Sequence, residues 1–289
     1  MTTAPNIQRA KAEELASPFP ALLASAQALA GTVLLGDHGR RRAGMGDDFW
    51  QYRLAQPGDP ARRIDWRRSA RSDQQFIRER EWKVAQSVIL WVDQGASMNF
   101  RGSGRESKLA RARVLALACS ILLLRAGERV GLTGFSLPPR SGRAQIERLA
   151  EALSLDDTSD FSAPEARGML PHSRALFVSD FFGQTAPLEA ALAKAADRGV
   201  KGVLLMILDP QEENFPFSGR TRFESMAGGI QFETQQAHGL RGAYQERLAA
   251  RKDKLQALAS AAGWQFQVHH TDASAQSSLM WLYGAMEAA

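Results

Sequence analysis

The chain holds a single cysteine in 289 residues. One thiol closes no internal disulfide, and a metal site of paired cysteines is excluded with it. Cys119 lies in the apolar stretch Leu115–Leu124 and reads as a small core residue on a buried helix. Long hydrophobic runs are missing as well. The longest, Val114–Cys119 and Val203–Leu208, have six residues each, far short of the about 18 that cross a bilayer. Met1–Ala16 is polar and charged throughout and lacks the apolar segment of a secretory leader. A soluble cytoplasmic protein with no membrane partner is therefore expected. Nucleophile signatures are absent too, since no serine stands in a Gly-x-Ser-x-Gly elbow. Gly102–Lys108 superficially looks like a phosphate loop, but Ser107-Lys108-Leu109 stands where that loop requires Gly-Lys followed by Ser or Thr. Ser107 reads instead as a helix cap. His38, His172 and His238 are scattered, and His269-His270 at a strand end, with Asp272 nearby, is a weak metal signal.

What is present begins with charge. The net charge is +5, and it is local. Between Arg40 and Arg71 stand nine arginines (Arg40, Arg41, Arg42, Arg53, Arg62, Arg63, Arg67, Arg68 and Arg71) against four acids (Asp47, Asp48, Asp59 and Asp65), a surplus that equals that of the whole chain. A clustered basic surface attracts phosphates, nucleic acid or an acidic protein face. Arginine in place of lysine favours fixed bidentate contacts with carboxylates, including those of its own chain. Asp59 and Asp65 are interleaved with these arginines, so an internal ion-pair network anchored by Trp66, which would pin this module to the rest of the chain, stands beside a partner-docking surface. Nucleic acid is the least favoured partner, because it calls for basic residues not neutralised by neighbouring acids.

Apolar residues make up 44% of the chain, enough for a sizeable core. Ala21–Ala30 predicts an N-terminal helix, Gly36–Gly46 a Gly- and Arg-rich loop, and Phe49–Leu54 and Gln75–Arg80 short strands around a Pro57–Pro60 turn. From residue 84 the pattern changes. Val84–Asp93, Arg129–Phe135, Ala175–Asp180, Val203–Asp209 and Trp264–His269 read as buried strands. Between and after them, Lys108–Arg125, Ala144–Leu155, Pro187–Arg198, Arg241–Ala262 and Ser277–Met286 read as helices. Thr221–Ser225 and Ile230–Thr234 flank Ala227-Gly228-Gly229 as a hairpin. Alternating strand and helix give an α/β fold with a mostly parallel, Rossmann-like sheet and helices on both faces. Residues 1–83 would form a small N-terminal module with short strands, and 84–289 the α/β domain with a 221–234 hairpin insertion. In such sheets the ligand crevice lies beyond the carboxyl ends of the strands, where Asp93, Asp180 and Asp209 stand.

Two resemblances follow from these residues. Asp93-Gln94-Gly95-Ala96-Ser97 resembles the Asp-x-Ser-x-Ser loop of von Willebrand factor A domains. In that family two serines and a distant threonine bind a magnesium ion and the aspartates act largely through water. Here Asp93 and Ser97 match, Thr158 would supply the threonine and Asp180 the second aspartate, but Gly95 replaces the first serine. The loop is therefore a degenerate site in which Mg2+ or a substitute (an arginine or water) would have to separate the two acids. The run Gly44–Asp48, Arg53, Gly58-Asp59, Arg63-Ile64-Asp65-Trp66 and Ser69-Ala70-Arg71 is similar to the signature of the bacterial domain-of-unknown-function family fifty-eight. It places Gly58, Asp59, Arg63, Asp65, Trp66, Ser69 and Arg71 in a motif upstream of a von Willebrand A-like fold, and the likeness extends from about Gly36 to the C-terminus. That resemblance implies a non-enzymatic adaptor partnered with a MoxR-type AAA+ ATPase and an unknown client in chaperone-like complex maturation. The residues leave open a nucleic-acid-binding protein using the 40–71 basic patch, and a divalent-metal-dependent hydrolase built on Asp93, Asp180 and Asp209.

Overall fold

The computed structural model describes residues 18–33, 41–44, 48–72, 74–83, 85–135, 137–155, 157, 159–165, 168–229 and 231–288. Two compact units emerge: Asp37–Ala85, and Met1–Gly36 together with Gln86–Ala289. The chain passes from the smaller unit to the larger between Ala85 and Gln86. The N-terminal helix, however, groups with the larger unit and not with the Arg-rich module. Helix α1 (Pro18–Gly31) buries Ala26 and Ala30 in the same core cluster as the domain's own helices.

In the smaller unit, β1 (Arg41–Gly44), β2 (Asp48–Leu54) and β3 (Phe76–Lys83) form an antiparallel sheet in the order β1-β3-β2. The loop expected over 36–46 thus contains a strand. Gly and Arg composition hides it because it is an edge strand, paired on one side only. Gly58, at φ +101°, takes a backbone conformation open to glycine at the Pro57–Pro60 turn. Trp66–Ser69 forms one helical turn.

The larger unit is built on a six-stranded sheet. It comprises β4 (Ser87–Val92), β5 (Arg129–Leu132), β6 (Leu137–Arg140), β7 (Arg174–Ser179), β8 (Lys201–Leu208) and β11 (Gln265–His270), in the order β11-β8-β7-β4-β5-β6. Every pairing is parallel except β5 with β6. Strand β6 was not expected. Its Pro138-Pro139 would break a central strand, but an antiparallel edge strand tolerates proline. The two-stranded hairpin β9 (Thr221–Glu224) and β10 (Gln231–Thr234) lies where its turn residues predict it.

Side chains along each strand alternate between two cores, as the period of two requires. Leu90, Val178 and Leu205 face α1, α2 (Lys108–Arg125), α3 (Arg143–Leu153) and α7 (Ala275–Ala288). Trp91, Phe177 and Met206 face α4 (Thr185–Asp197) and α6 (Arg241–Ala261). Phe177 sits edge-on between Trp91, 5.6 Å away, and Trp264, 5.0 Å away. Cys119 is buried on α2, and burial pushes its thiol up to about 12. Among the described residues, no helix is long and apolar enough to cross a membrane.

The topology fixes where function can sit. After β4 the chain enters α2 on one face; after β7 it enters α4 on the other. β4 and β7 are neighbours, so the loops that follow them part over the middle of the sheet, the usual place for a ligand crevice. Asp93 and Asp180 are the residues just beyond those two strands.

Candidate functional site

Asp93 follows β4, its backbone N–H donating to the Val178 carbonyl at 2.8 Å. Its carboxylate is fully committed. One oxygen accepts from the Ser162 hydroxyl (2.6 Å) and from the Gly95 N–H (2.8 Å); the other accepts from the Ser179 hydroxyl (2.6 Å). Burial pushes its pKa above the usual carboxylate range; the two serine hydroxyls work against that push, and the nearby charge of Asp180 adds to it. The segment 159–162 closes over this loop. Ala96 N–H donates to Ser159 O at 2.7 Å, and Ser97 N–H to Asp160 O at 2.9 Å.

That crossing explains Gly95. A Cβ there would lie 2.8 Å from the Asp160 carbonyl oxygen and 2.9 Å from the Phe161 Cα. The position that carries a serine ligand in the resembling loop has no room for a side chain here. Ser97 Oγ is buried and has no hydrogen-bond partner among the described residues. Thr158, the expected third oxygen, lies outside the described residues.

Asp180 was expected to be separated from Asp93 by an ion, an arginine or water. A lysine fills that role toward Asp180. Lys108, the first residue of α2, is fully buried and donates to Asp180 Oδ2 at 2.8 Å and to Glu212 Oε1 at 2.6 Å. Phe100 and Phe182 flank the ammonium, with ring centroids 5.7 and 5.0 Å away. Burial disfavours the ammonium, but the charges of Asp180 and Glu212 outweigh it and raise the Lys108 pKa above its ordinary value. The other Asp180 oxygen accepts from the Phe182 N–H at 3.0 Å.

Asp209, after β8, is committed in the same way. It accepts from the N–H groups of Gly102 (2.9 Å) and Gln211 (2.8 Å), from the Thr271 hydroxyl (3.1 Å) and from Arg105 (3.1 Å). Burial opposes its ionisation, yet these donors hold its carboxyl below the usual range. With Glu212 it forms a capping box that starts the short helix α5 (Pro210–Asn214).

These residues do not fit a divalent ion. Magnesium asks for about six oxygens at roughly 2.0–2.1 Å. Here the carboxylates already carry internal donors, Gly95 can supply no hydroxyl, and an ammonium is in contact with Asp180. Among the described residues no cluster of His, Cys, Asp or Glu is arranged to hold a metal. His269 is buried beside Arg111, 3.0 Å from it, and burial followed by that neighbouring charge lowers its pKa to about 4.

Sequence reasoning missed Lys108, Ser162, Ser179 and Glu212. One signal for Lys108 was available. A cation at the first residue of a helix opposes the helix dipole, so a lysine placed there ahead of an apolar helix asks for a carboxylate partner.

The Arg-rich module holds a network of its own. Arg53 pairs with Asp59 in bidentate fashion, at 2.7 and 2.8 Å. The Asp59 carboxyl is held at about 2, by Arg53 and then by the Gln56 N–H. Asp65 caps the single helical turn, accepting from the N–H groups of Arg67 and Arg68 and from the Tyr52 hydroxyl. Arg68 lies 4.3 Å over the Tyr52 ring, and the buried Ser69 accepts from the Phe76 N–H at 2.9 Å. Trp66 is not the apolar anchor that was expected: it is 58% exposed, while Ile77 is buried. Arg63 and Arg71 are also exposed. The motif therefore divides into residues that build the module and residues that face solvent.

Comparison with known proteins places this architecture in context. Residues 51–254 match the family described as "Protein of unknown function DUF58". Uncharacterized proteins of Mycobacterium bovis and Mycobacterium tuberculosis are 28% identical over 238 residues, covering 76% of this chain and 73% of theirs. Among solved structures, BatB from Bacteroides thetaiotaomicron, a conserved hypothetical protein, is similar at 16% identity and a TM-score of 0.43, over 71% of this chain and all of that one. An aerotolerance-related membrane protein from Bacteroides fragilis is similar at 16% identity and a TM-score of 0.41, with the same coverage.

Proposed function

Because the chain belongs to the DUF58 family of unknown function, we propose that it is a non-enzymatic adaptor. In this reading a von Willebrand factor A-like sheet presents its strand-end face to protein partners. The partners are a MoxR-type AAA+ ATPase and a client complex whose maturation the pair assists, in the cytoplasm. The observation that carries the reading is the commitment of Asp93, Asp180 and Asp209 to donors of their own chain. A hydrolase would need those carboxylates turned toward a metal or substrate. Here they organise loops, and the loops present the surface.

That surface is suited to protein contact. Asp160 accepts from the Ser225 hydroxyl and the Ala227 N–H, at 3.2 and 2.9 Å, tying the β9–β10 turn to the segment over Asp93. Phe161 and Met226, neighbours of the tied residues, are both exposed. Exposed apolar side chains on a polar rim are common at protein interfaces. The exposed arginines of the smaller unit offer a second contact region of opposite character.

Affinity purification of the tagged chain from its host tests the proposal. A MoxR-type ATPase is expected to co-purify, and Phe161→Ala with Met226→Ala is expected to weaken its recovery. No complex, with or without magnesium and ATP, would contradict the adaptor reading. Salt-sensitive binding of DNA or RNA at about 50 mM salt would favour the basic patch of 40–71 as a nucleic-acid surface instead.

A further inference from the structure

We infer that Lys108 is a built-in cation: its ammonium, supplied by helix α2, neutralises Asp180 and Glu212 at the strand ends and makes this site independent of divalent metal.

Four acids stand just beyond adjacent parallel strands: Asp93 after β4, Asp180 after β7, and Asp209 and Glu212 after β8. Buried carboxylates this close repel one another and require positive charge or donors between them. Each is supplied from within. Lys108 pairs with Asp180 and Glu212 together, Arg105 with Asp209, and hydroxyls of Ser162 and Ser179 with Asp93. Lys108 has no exposed surface, and the rings of Phe100 and Phe182 stand beside its ammonium.

The source of the cation matters as much as its charge. Lys108 opens α2, and that helix is buried along most of its length in the core. Its cation cannot dissociate, exchange or be chelated. One ammonium joins three segments: the start of α2, the end of β7 and the short helix after β8. It holds the loops over the sheet's switch point in one arrangement whatever the ion concentration. The closed contact over Gly95 points the same way, because it removes the side chain that would have made the Asp93 loop a cation ligand. A divalent ion held by Asp180 would first have to displace Lys108 from that carboxylate.

Thermal unfolding of the full chain, in excess chelator and in millimolar magnesium or manganese, tests the inference. The wild type is expected to unfold at the same temperature in all three. Lys108→Met, which keeps most of the unbranched stem and removes the charge, is expected to lower that temperature by on the order of 10 °C, since it takes the ammonium from two buried carboxylates. Two results would overturn the inference. One is a wild-type Tm that rises by about 5–10 °C with metal, as a site at 100 times its Kd would give, with one manganese bound per chain and lost in Asp93→Asn. The other is a Lys108→Met protein as stable as the wild type. The wild-type arm decides the question even where the variant does not fold.

Discussion

Gly95 shows how one residue can settle what a loop does. Read as sequence, it is a missing ligand in an otherwise recognisable cation loop. In the structure it is the contact point where the Asp160–Phe161 backbone passes over the Asp93 turn. Gly95→Ser would therefore not restore a metal site. Its Cβ would push against backbone atoms, which yield less readily than a flexible side chain, and overpacking of this kind costs about 1–3 kcal/mol. We predict a lower denaturation midpoint and no gain in manganese affinity; a variant of unchanged stability that binds manganese would show that the loop retains an ion geometry. Single residues were legible where their chemistry is local. Cys119 is buried as its apolar neighbours suggested, and Ser107 does cap α2, accepting from the Ala110 N–H at 3.1 Å. The partners of Lys108 were not legible, because they lie 72 and 104 residues away and only the fold assembles them. Trp66 misled for a related reason: its hydrophobicity suggested burial, but its place on a one-turn helix leaves it exposed.

Among the elements, the central ones were written plainly. Helix Lys108–Arg125 spans the residues its apolar pattern marks, and β7 and β8 end immediately before the acids that flagged them. A buried parallel strand must be apolar on both faces, and so its signal survives without knowledge of its neighbours. Edge strands carry no such demand, which is why Arg41–Gly44 was read as part of a loop and Leu137–Arg140 was not read as a strand. Packing between elements adds constraints that composition conceals. Gly202 stands just before the apolar run of β8, opposite Ala175 of β7. A Cβ there would lie 2.2 Å from the Ala175 carbonyl oxygen and 3.1 Å from the Trp264 ring. Gly202→Ala is thus expected to destabilise the domain by at least about 1–3 kcal/mol, although alanine is ordinarily harmless in a buried strand. A denaturant titration checks this, and an unchanged midpoint would mean that β7 and β8 are not packed in this register.

At the scale of the whole molecule, two units carry two kinds of surface. The smaller holds most of the chain's positive surplus, part of it folded inward through Arg53–Asp59 and the Asp65 cap and part displayed as exposed arginine. The larger gathers Asp93, Asp180, Asp209 and Glu212 at one end of the sheet and meets them there with its own lysine, arginine and serine hydroxyls. The alternation of strand and helix revealed this layout in outline. It did not reveal that α1 belongs to the larger unit, because the helix docks through small residues, Ala26 and Ala30, that form no strong periodic stripe. At the strand-end face Lys108, and no metal, sits against Asp180. A crystal structure of the full chain grown in manganese tests it most directly. The account predicts no anomalous density between Asp93 and Asp180, and the Lys108 ammonium in contact with Asp180 and Glu212. A manganese ion held by Asp93 and Ser97, with Lys108 turned away from Asp180, would contradict it.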